Sequence, residues 1–458
     1  MKSTSGDYIY EYGINEFPDP TTTVRPASSL KPQNVLVTLD DYRQRYALYH
    51  TDPDLQALHQ AAPLLAAWDD HEFANNAWVN GSQEQNSTID GPWHVRVSNA
   101  AQAYHEWLPT RYFLDDGNYL KYWRSVQFGD LATLMLLETR VTARTDPNVI
   151  PDVFSAAGAM GFSVLPPSQW SSQPAMIAGI KNLKASTDAY RNLSNLTVIG
   201  QGEQLQWLNN SVIQSVNSGT KWQLLAQDTV MLESLAPDLE GAIAQEKDAA
   251  KAAFWKERFY NLTSGANATT TLNTTAGSYV PLNGIPIPVT DSMRYATRAA
   301  QALGQYRINY DFDSWAGYQY NKRQVLQAMA NSRNAIIYGG DSHNAWGGIE
   351  SLDGKPFAAE FDGPAVTSIG FEGYFPFIPP DLVAAGMLVS NGEFGMKYAE
   401  TNHKGYMLVT LNHSNHHTEY VMVDNIISRK YQAYCDYAVD SMDGQVGTWV
   451  KSSACLGA

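Results

Sequence analysis

The sequence predicts an α/β protein of layered helices and a mixed sheet, and three observations predict it. Short apolar runs of about four to eight residues recur along the chain, helix-period patterns lie between them, and near the C-terminus two strand patterns follow each other across a short polar link. Strand–helix alternation favours parallel strands with active loops at their C-terminal ends. The consecutive pair adds antiparallel strands, so the sheet is expected to be mixed.

In chain order, the opening "SGDYIYEYG" is followed by a helix over Asp40–His50, a strand over Leu64–Trp68 and a helix over Val97–Leu108. A strand over Leu131–Leu137, a helix over Glu203–Val216 and a strand over Lys221–Ala226 come next. The segment Ser264–Pro288, rich in small, polar and turn residues, reads as a surface excursion. A helix over Tyr318–Ala330 leads to a strand over Asn334–Gly339, and "FEGYFPFIPPDL" (Phe371–Leu382) reads as a packed loop or a substrate wall. "KGYMLVTLNH" and "HTEYVMVDNI" pair around "SNH". One large domain over 1–428 with a C-terminal tail over 429–458 is the expected organisation.

A chain of 458 residues, 44% hydrophobic, can bury a large core. Its net charge of −15 argues against a nucleic-acid-binding module or an anionic membrane surface as partner, because phosphate backbones repel such a field. No run approaches the roughly 20 apolar residues of a membrane span, and "MKSTSGDYIYEYG" has no apolar core of a signal peptide. Nine glycosylation sequons, at Asn80, Asn86, Asn192, Asn195, Asn209, Asn261, Asn267, Asn273 and Asn412, point the other way, to a secreted or cell-surface glycoprotein. Cys435 and Cys455 either close a short loop in an oxidising compartment or remain thiols.

Three clusters set acids beside a histidine or tyrosine at the end of an apolar or aromatic stretch: "SGDYIYEYG" with Asp7 and Tyr10, "AAWDDHEFANN" with Asp69, Asp70, His71, Glu72, Asn75 and Asn76, and "AIIYGGDSHNAW" with Asp341 and His343. Carboxylate, phenolate and imidazole groups at successive strand ends can converge on one point, and hard oxygen donors with one or two imidazoles suit Fe, Mn, Ca or Zn. Each cluster alone has another reading. "GDSH" is also a loop with a solvated acid, "WDDHE" a helix N-cap, and Tyr10 a core aromatic. Adjacent aspartates on one loop cannot flank a sugar bond from opposite faces at the ~5–10 Å separations that glycosidases use.

Taken in order, the segments "GDYIYEYG", Thr38–Asn76, "AYHEWLPTR", "FGDLATLMLLETR", "GEQLQWL", "DSWAGYQYNKRQVL", "YGGDSHNAW" and "HKGYMLV" resemble the PhoD-like alkaline phosphatases, a branch of the calcineurin-like metallophosphoesterases. The resemblance covers most of the chain. It implies a layered αββα sandwich with mixed sheets, a centre of Fe³⁺ and Ca²⁺, and a small phosphoester substrate. It places Asp7 as a metal-bridging carboxylate, Tyr10 as a ferric ligand, Asp70 where the superfamily has a metal-binding asparagine, and Asp341 and His343 as late ligands. His71 stands where the family's histidine faces the phosphate or leaving group. Asn76 is added as a candidate ligand.

Phosphate esters resist attack by water, so a site must neutralise phosphoryl oxygens and supply hydroxide near neutral pH, which bound metal ions do. Arg140 reads as a phosphate clamp or as the partner of Glu138 or Asp130 in a structural ion pair.

Relatives usually carry an N-terminal domain, a strand delivering a cysteine to the iron, and a His-Leu before the "GDYIY" aspartate. None of these stands in this sequence, and Cys435 and Cys455 lie too late to replace the thiolate. The expectation is that Asp7 and Tyr10 fray, and that this chain alone holds divalent ions weakly through Asp70, Asp341 and His343, with little iron. A catalytically impaired secreted glycoprotein of the same fold is the alternative to a working phosphoric ester hydrolase.

Overall fold

The computed structural model of the chain describes residues 2–4, 6–14, 16, 27–109, 119–150, 152–264, 271–273, 286–445 and 447–455. Two compact units divide the chain. The first comprises Met1–Pro147, Ser194–Thr229 and Tyr320–Asp341, and the second Asn148–Leu193, Val230–Gln319 and Ser342–Ala458.

In the first unit, strand β1 (Lys2–Thr4) pairs parallel with β2 (Leu64–Ala66), with Lys2 opposite Leu64. Between them run helices α1 (Leu39–Tyr49) and α2 (Pro53–Ala61). A capping box starts α1, Thr38 Oγ1 accepting from Asp41 N at 3.2 Å while Asp41 Oδ2 accepts from Thr38 N at 2.8 Å. Asp52 caps α2, and Pro53 occupies the first helical position, where its missing N–H costs nothing.

After helix α3 (Trp93–Trp107) come strands β3 (Arg124–Phe128) and β4 (Ala132–Leu136), helix α4 (Glu203–Asn217), strand β5 (Trp222–Ala226), helix α5 (Gln319–Met329) and strand β6 (Ala335–Gly339). Strands β4, β5 and β6 are parallel neighbours, and β3 joins β4 antiparallel. Every residue of β4 is buried, as an apolar run on a sheet covered on both faces must be.

An aromatic core lies beneath β2. Trp68 stacks on Tyr122 at 4.2 Å and meets Phe73 edge-on at 5.2 Å, and Tyr122 Oη donates to Ala66 O at 2.6 Å. Arg45 of α1 is buried, and its guanidinium donates to the carbonyls of Lys31, Pro32, Tyr10 and Tyr12. These bonds and the β1–β2 pairing tie down the segment that carries Asp7 and Tyr10, so the expected fraying is corrected.

In the second unit, β7 (Ala345–Leu352) pairs antiparallel with β8 (Lys355–Asp362) and with β9 (Met396–Glu400). The β7–β8 turn places Asp353 at φ 52° and Gly354 at φ 75°, the two positive angles a tight hairpin turn needs. Strands β10 (Lys404–Leu411), β11 (Asn415–Val423), β12 (Ala433–Met442) and β13 (Val450–Lys451) form an antiparallel sheet. The expected pairing of the two late segments is therefore present, and much of the expected tail is strand β12 of the same sheet. A Cys435–Cys455 disulfide settles the open alternative for the two cysteines. In "FEGYFPFIPPDL", Phe377, Ile378 and Leu382 are buried in one cluster with Trp255 and Phe259, so the segment is packed. Phe371–Tyr374 and the start of Pro380–Asn391 are helical, however, and only the stretch between them is loop.

Of the expected excursion, Thr271–Asn273 and Pro286–Pro288 pair antiparallel, and most of the remainder lies outside the described residues. Asn267 falls there too, as does the side chain of Asn273. Asn80, Asn86, Asn192, Asn195 and Asn412 are exposed and Asn209 is half-buried. Asn261 is buried in the helix Ala249–Thr263, where a glycan has no room, so it is withdrawn as a glycosylation site. Among the described residues no helix is long and apolar enough to cross a membrane.

His416 of β11 is fully buried against Phe361, with ring centroids 5.3 Å apart. Burial pushes its imidazolium down to about 3. The unfolded chain, with an ordinary value of about 6.5, therefore takes up the proton first, and stability falls as pH drops from about 6.5 toward 3, by about 1.4 kcal/mol per pH unit. His416→Phe is expected to flatten that decline in urea melts between pH 7 and pH 5. An unchanged decline would rule it out.

Candidate metal centre

The strand ends of the first unit supply the acids. Asp7 follows β1, Asp69 and Asp70 follow β2, Arg140 follows β4, Asp228 follows β5 and Asp341 follows β6. Carboxyl ends of parallel strands share one edge, so side chains far apart in sequence meet there. Asp7, Asp69, Asp70 and Asp341 each offer a carboxylate oxygen within 4.8 Å of the others, and so do Asp7 and Asp70 with a ring nitrogen of His71.

Local backbone geometry sharpens this convergence. Gly6 has φ +119°, and a Cβ there would lie 2.2 Å from Asp69 Cβ, so only glycine lets the two loops touch. Asp7, Asn76, Asp341 and His343 all hold positive φ, between 50° and 64°, a conformation that non-glycine residues seldom adopt and that concentrates at functional sites. Glu72 clamps the loops, accepting from Asp69 N at 2.7 Å, Asp7 N at 3.1 Å and Tyr8 N at 2.5 Å. Burial pushes the Glu72 carboxyl up to about 7 against the pull of these donors.

Tyr10 Oη donates to Asp7 Oδ2 at 3.3 Å, and its ring stacks on His71 at 4.2 Å. His71 Nδ1 bonds Glu11 Oε2 at 2.7 Å, and the other Glu11 oxygen accepts from Asn75 N at 2.5 Å. Burial lowers the His71 imidazolium, but the charges of Asp70, Glu11 and Asp7 outweigh burial and raise it well above its usual range. Asn76 donates its backbone N–H to Asp70 Oδ2 at 2.6 Å and its side-chain amide to Gln83 at 3.0 Å. Its visible role is to shape the loop.

Arg140 is fully buried. Its Nε donates to Asp69 Oδ1 and lies 3.7 Å from Asp228 Oδ2, while its Nη2 lies 3.2 Å from Asp341 Oδ1 and 3.8 Å from Asp70 Oδ1. It is a countercharge inside the acidic cluster, its ion pairs reaching Asp69, Asp70, Asp228 and Asp341. Glu138 instead gathers Trp68 Nε1 and the N–H groups of Arg140, Val141 and Thr142.

Arg140 does not balance the acids, although Arg144 also pulls Asp70 down. Burial, then Asp70, Asp69 and Glu72 against the pull of His71, pushes Asp7 well above the carboxylate range. Asp228 is also raised, by burial and by Asp69. Burial also raises Asp70, yet His71, Arg140 and the Asn76 N–H outweigh it and hold Asp70 below that range. Asp69 Oδ2, Asp70 Oδ1 and Asp228 Oδ1 are buried without a hydrogen-bond donor among the described residues. Buried oxygens without donors and carboxylates pushed toward protonation are what a cation would relieve, so the donor set fits a hard metal ion.

A family model described as PhoD-like phosphatase matches residues 3–420. The chain belongs to the PhoD-like phosphatase family. Alkaline phosphatase D of Bacillus subtilis (strain 168) is 28% identical over 377 residues, which cover 80% of this chain and 46% of that protein. The chain thus spans about half the length of this curated relative. A solved structure described as "Structure of PhoD" is similar with a TM-score of 0.63 at 22% identity, over 99% of this chain and 66% of that one. That likeness carries the α/β fold with parallel and antiparallel strands, as expected of a metallophosphoesterase-like sandwich.

Other motifs of the PhoD-like pattern prove structural. Gln204 of "GEQLQWL" exchanges two 2.8 Å bonds with the Glu138 backbone, and Asn321 Oδ1 accepts from Val198 N at 2.8 Å and Ile199 N at 3.1 Å. His343 belongs to the second unit, where its Nδ1 bonds Ile369 O at 2.5 Å. A carbonyl only accepts, so the neutral ring carries its proton on Nδ1 and its lone pair on Nε2, the arrangement a metal-binding imidazole uses. The sequence reading placed Asp69 and Glu72 in the "AAWDDHEFANN" cluster without a role, and it missed Glu11 and Asp228 as parts of the site. Asp228 carried a usable signal, an acid two residues after the apolar run "WQLLA".

Proposed function

We propose that this chain hydrolyses phosphate mono- or diesters at the acidic cluster. One observation carries the reading: four aspartates with oxygens within 4.8 Å of one another at strand ends, in a PhoD-like phosphatase. Asp7, Tyr10, Asp70 and Asp341 would hold the ions, Fe³⁺ and Ca²⁺ by family resemblance. Bound metal supplies Lewis acidity and a water acidic enough to attack phosphorus.

The chain's own residues do the rest. Glu11 accepts from His71 Nδ1, which fixes the ring, and the surrounding carboxylates favour its protonated form. A protonated His71 donates to a phosphoryl oxygen or to the departing oxygen as charge builds there. Arg140 and Glu72 hold the aspartates in place, Arg140 through their charges and Glu72 through the backbone of their loops.

Activity on p-nitrophenyl phosphate and bis(p-nitrophenyl) phosphate is expected to vanish after chelation and to return when Fe and Ca are restored, and the ratio of the two rates gives the ester preference. Turnover indifferent to the chelator would sink the metal mechanism. The disulfide and the exposed sequons support an exported, glycosylated protein. Glycosidase treatment of protein from its native host is expected to lower its intact mass, and an unchanged mass would argue against export.

A further inference from the structure

A second donor cluster lies in the first unit on side chains the proposed chemistry does not use. Tyr8 Oη is 3.0 Å from His50 Nε2 and 2.7 Å from His59 Nε2, and the two imidazole centroids are 5.6 Å apart. The donors come from three places: the "GDYIY" turn, the C-cap of α1 and the last turn of α2. Thr51 and Asp52 link the two helices, and both rings meet at Tyr8 Oη.

We propose that His50, His59 and Tyr8 form a binding site for a divalent transition-metal ion of the zinc type. Imidazole nitrogens are the preferred donors of Zn²⁺, Cu²⁺ and Ni²⁺, which distinguishes this site from the carboxylate-rich cluster. Both histidines line an open pocket of about 370 Å³ together with Leu55, Gln56 and Gln60, which gives an ion an entry path and room for water at its remaining positions. Trp107 meets the His50 ring edge-on at 5.3 Å and Tyr46 stacks on Tyr8 at 6.2 Å, so two of the three donors are held by packing. Burial, and then His59, hold the His50 imidazolium below its usual range, which keeps a lone pair available near neutral pH. Tyr8 Oη, within hydrogen-bond distance of both ring nitrogens, is the third group of the cluster.

Equilibrium dialysis of the full chain against Zn²⁺ alone is the test. The parent protein is expected to bind one more equivalent than the H50Q/H59Q double variant, and each single variant to bind that equivalent at least about tenfold more weakly. Asp70→Asn, which alters the acidic cluster, is expected to keep it, so failure here and failure of the phosphatase reading are separable. Cu²⁺ as a second probe needs no variant to fold: its electron paramagnetic resonance spectrum is expected to show coupling to two imidazole nitrogens, and that coupling to be lost in H50Q/H59Q. Equal Zn²⁺ uptake by parent and double variant, or a Cu²⁺ spectrum without two-nitrogen coupling, would mean that Tyr8 and the histidines form a hydrogen-bonded cluster only.

Discussion

Arg140→Met is expected to destabilise the chelator-treated protein by on the order of 3–5 kcal/mol, the cost of leaving buried charge uncompensated. Arg140 is fully buried and lies within 4 Å of Asp69, Asp70, Asp228 and Asp341. Methionine fills much of its volume and removes its charge, so the loss reads electrostatics more than packing. Arg140→Lys is expected to fall between, because one ammonium cannot span Asp69 and Asp341 as a guanidinium fork does. Added Ca²⁺ is expected to restore part of the loss, since an ion among the aspartates supplies the missing positive charge. Thermal melts of parent and both variants, with and without Ca²⁺, check this. An Arg140→Met melting temperature equal to the parent's in chelator would show that the carboxylates are neutralised by other means.

Asp70→Ala and His71→Ala, neighbours in sequence, are expected to fail differently. Asp70 has one oxygen on the Asn76 N–H and the other in the acidic cluster, so its loss is expected to lower bound metal and abolish turnover together. His71 is held by Glu11 from one side and by the Tyr10 ring from its face. Its loss is expected to leave metal content nearly intact and to lower kcat by about 10²–10⁴, the range for a positioned acid. Metal analysis beside kcat and KM separates the two. Equal metal loss in both variants would make His71 a ligand, a result its ring nitrogen within 4.8 Å of Asp7 and Asp70 oxygens allows.

The difference between these residues was only partly legible beforehand. Asp70 and Asp341 stand out because an acid close behind a short apolar strand is costly to bury and is seldom there for packing, and Asp7 because an aromatic stretch follows it. Asp228 follows the same rule but has no histidine or tyrosine beside it, and it passed unnoticed in "LLAQD". Glu11, inside the "GDYIYEYG" segment, looked like an ordinary acid until its carboxylate was found on His71. The segment's tethering was invisible for a different reason, since Arg45, which holds the carbonyls of Tyr10 and Tyr12, comes from α1.

Local pattern therefore decided the strands, the helices and the residue types that meet at the strand ends, because hydrophobic period and turn chemistry act over a few residues. Motif order decided the family. Pairing across distance was decided by the fold: Arg140 became a buried countercharge, Cys435 closed on Cys455, and His50, His59 and Tyr8 came together. Charge compensation and burial depend on which strand ends lie side by side, and a linear chain does not state its neighbours in space.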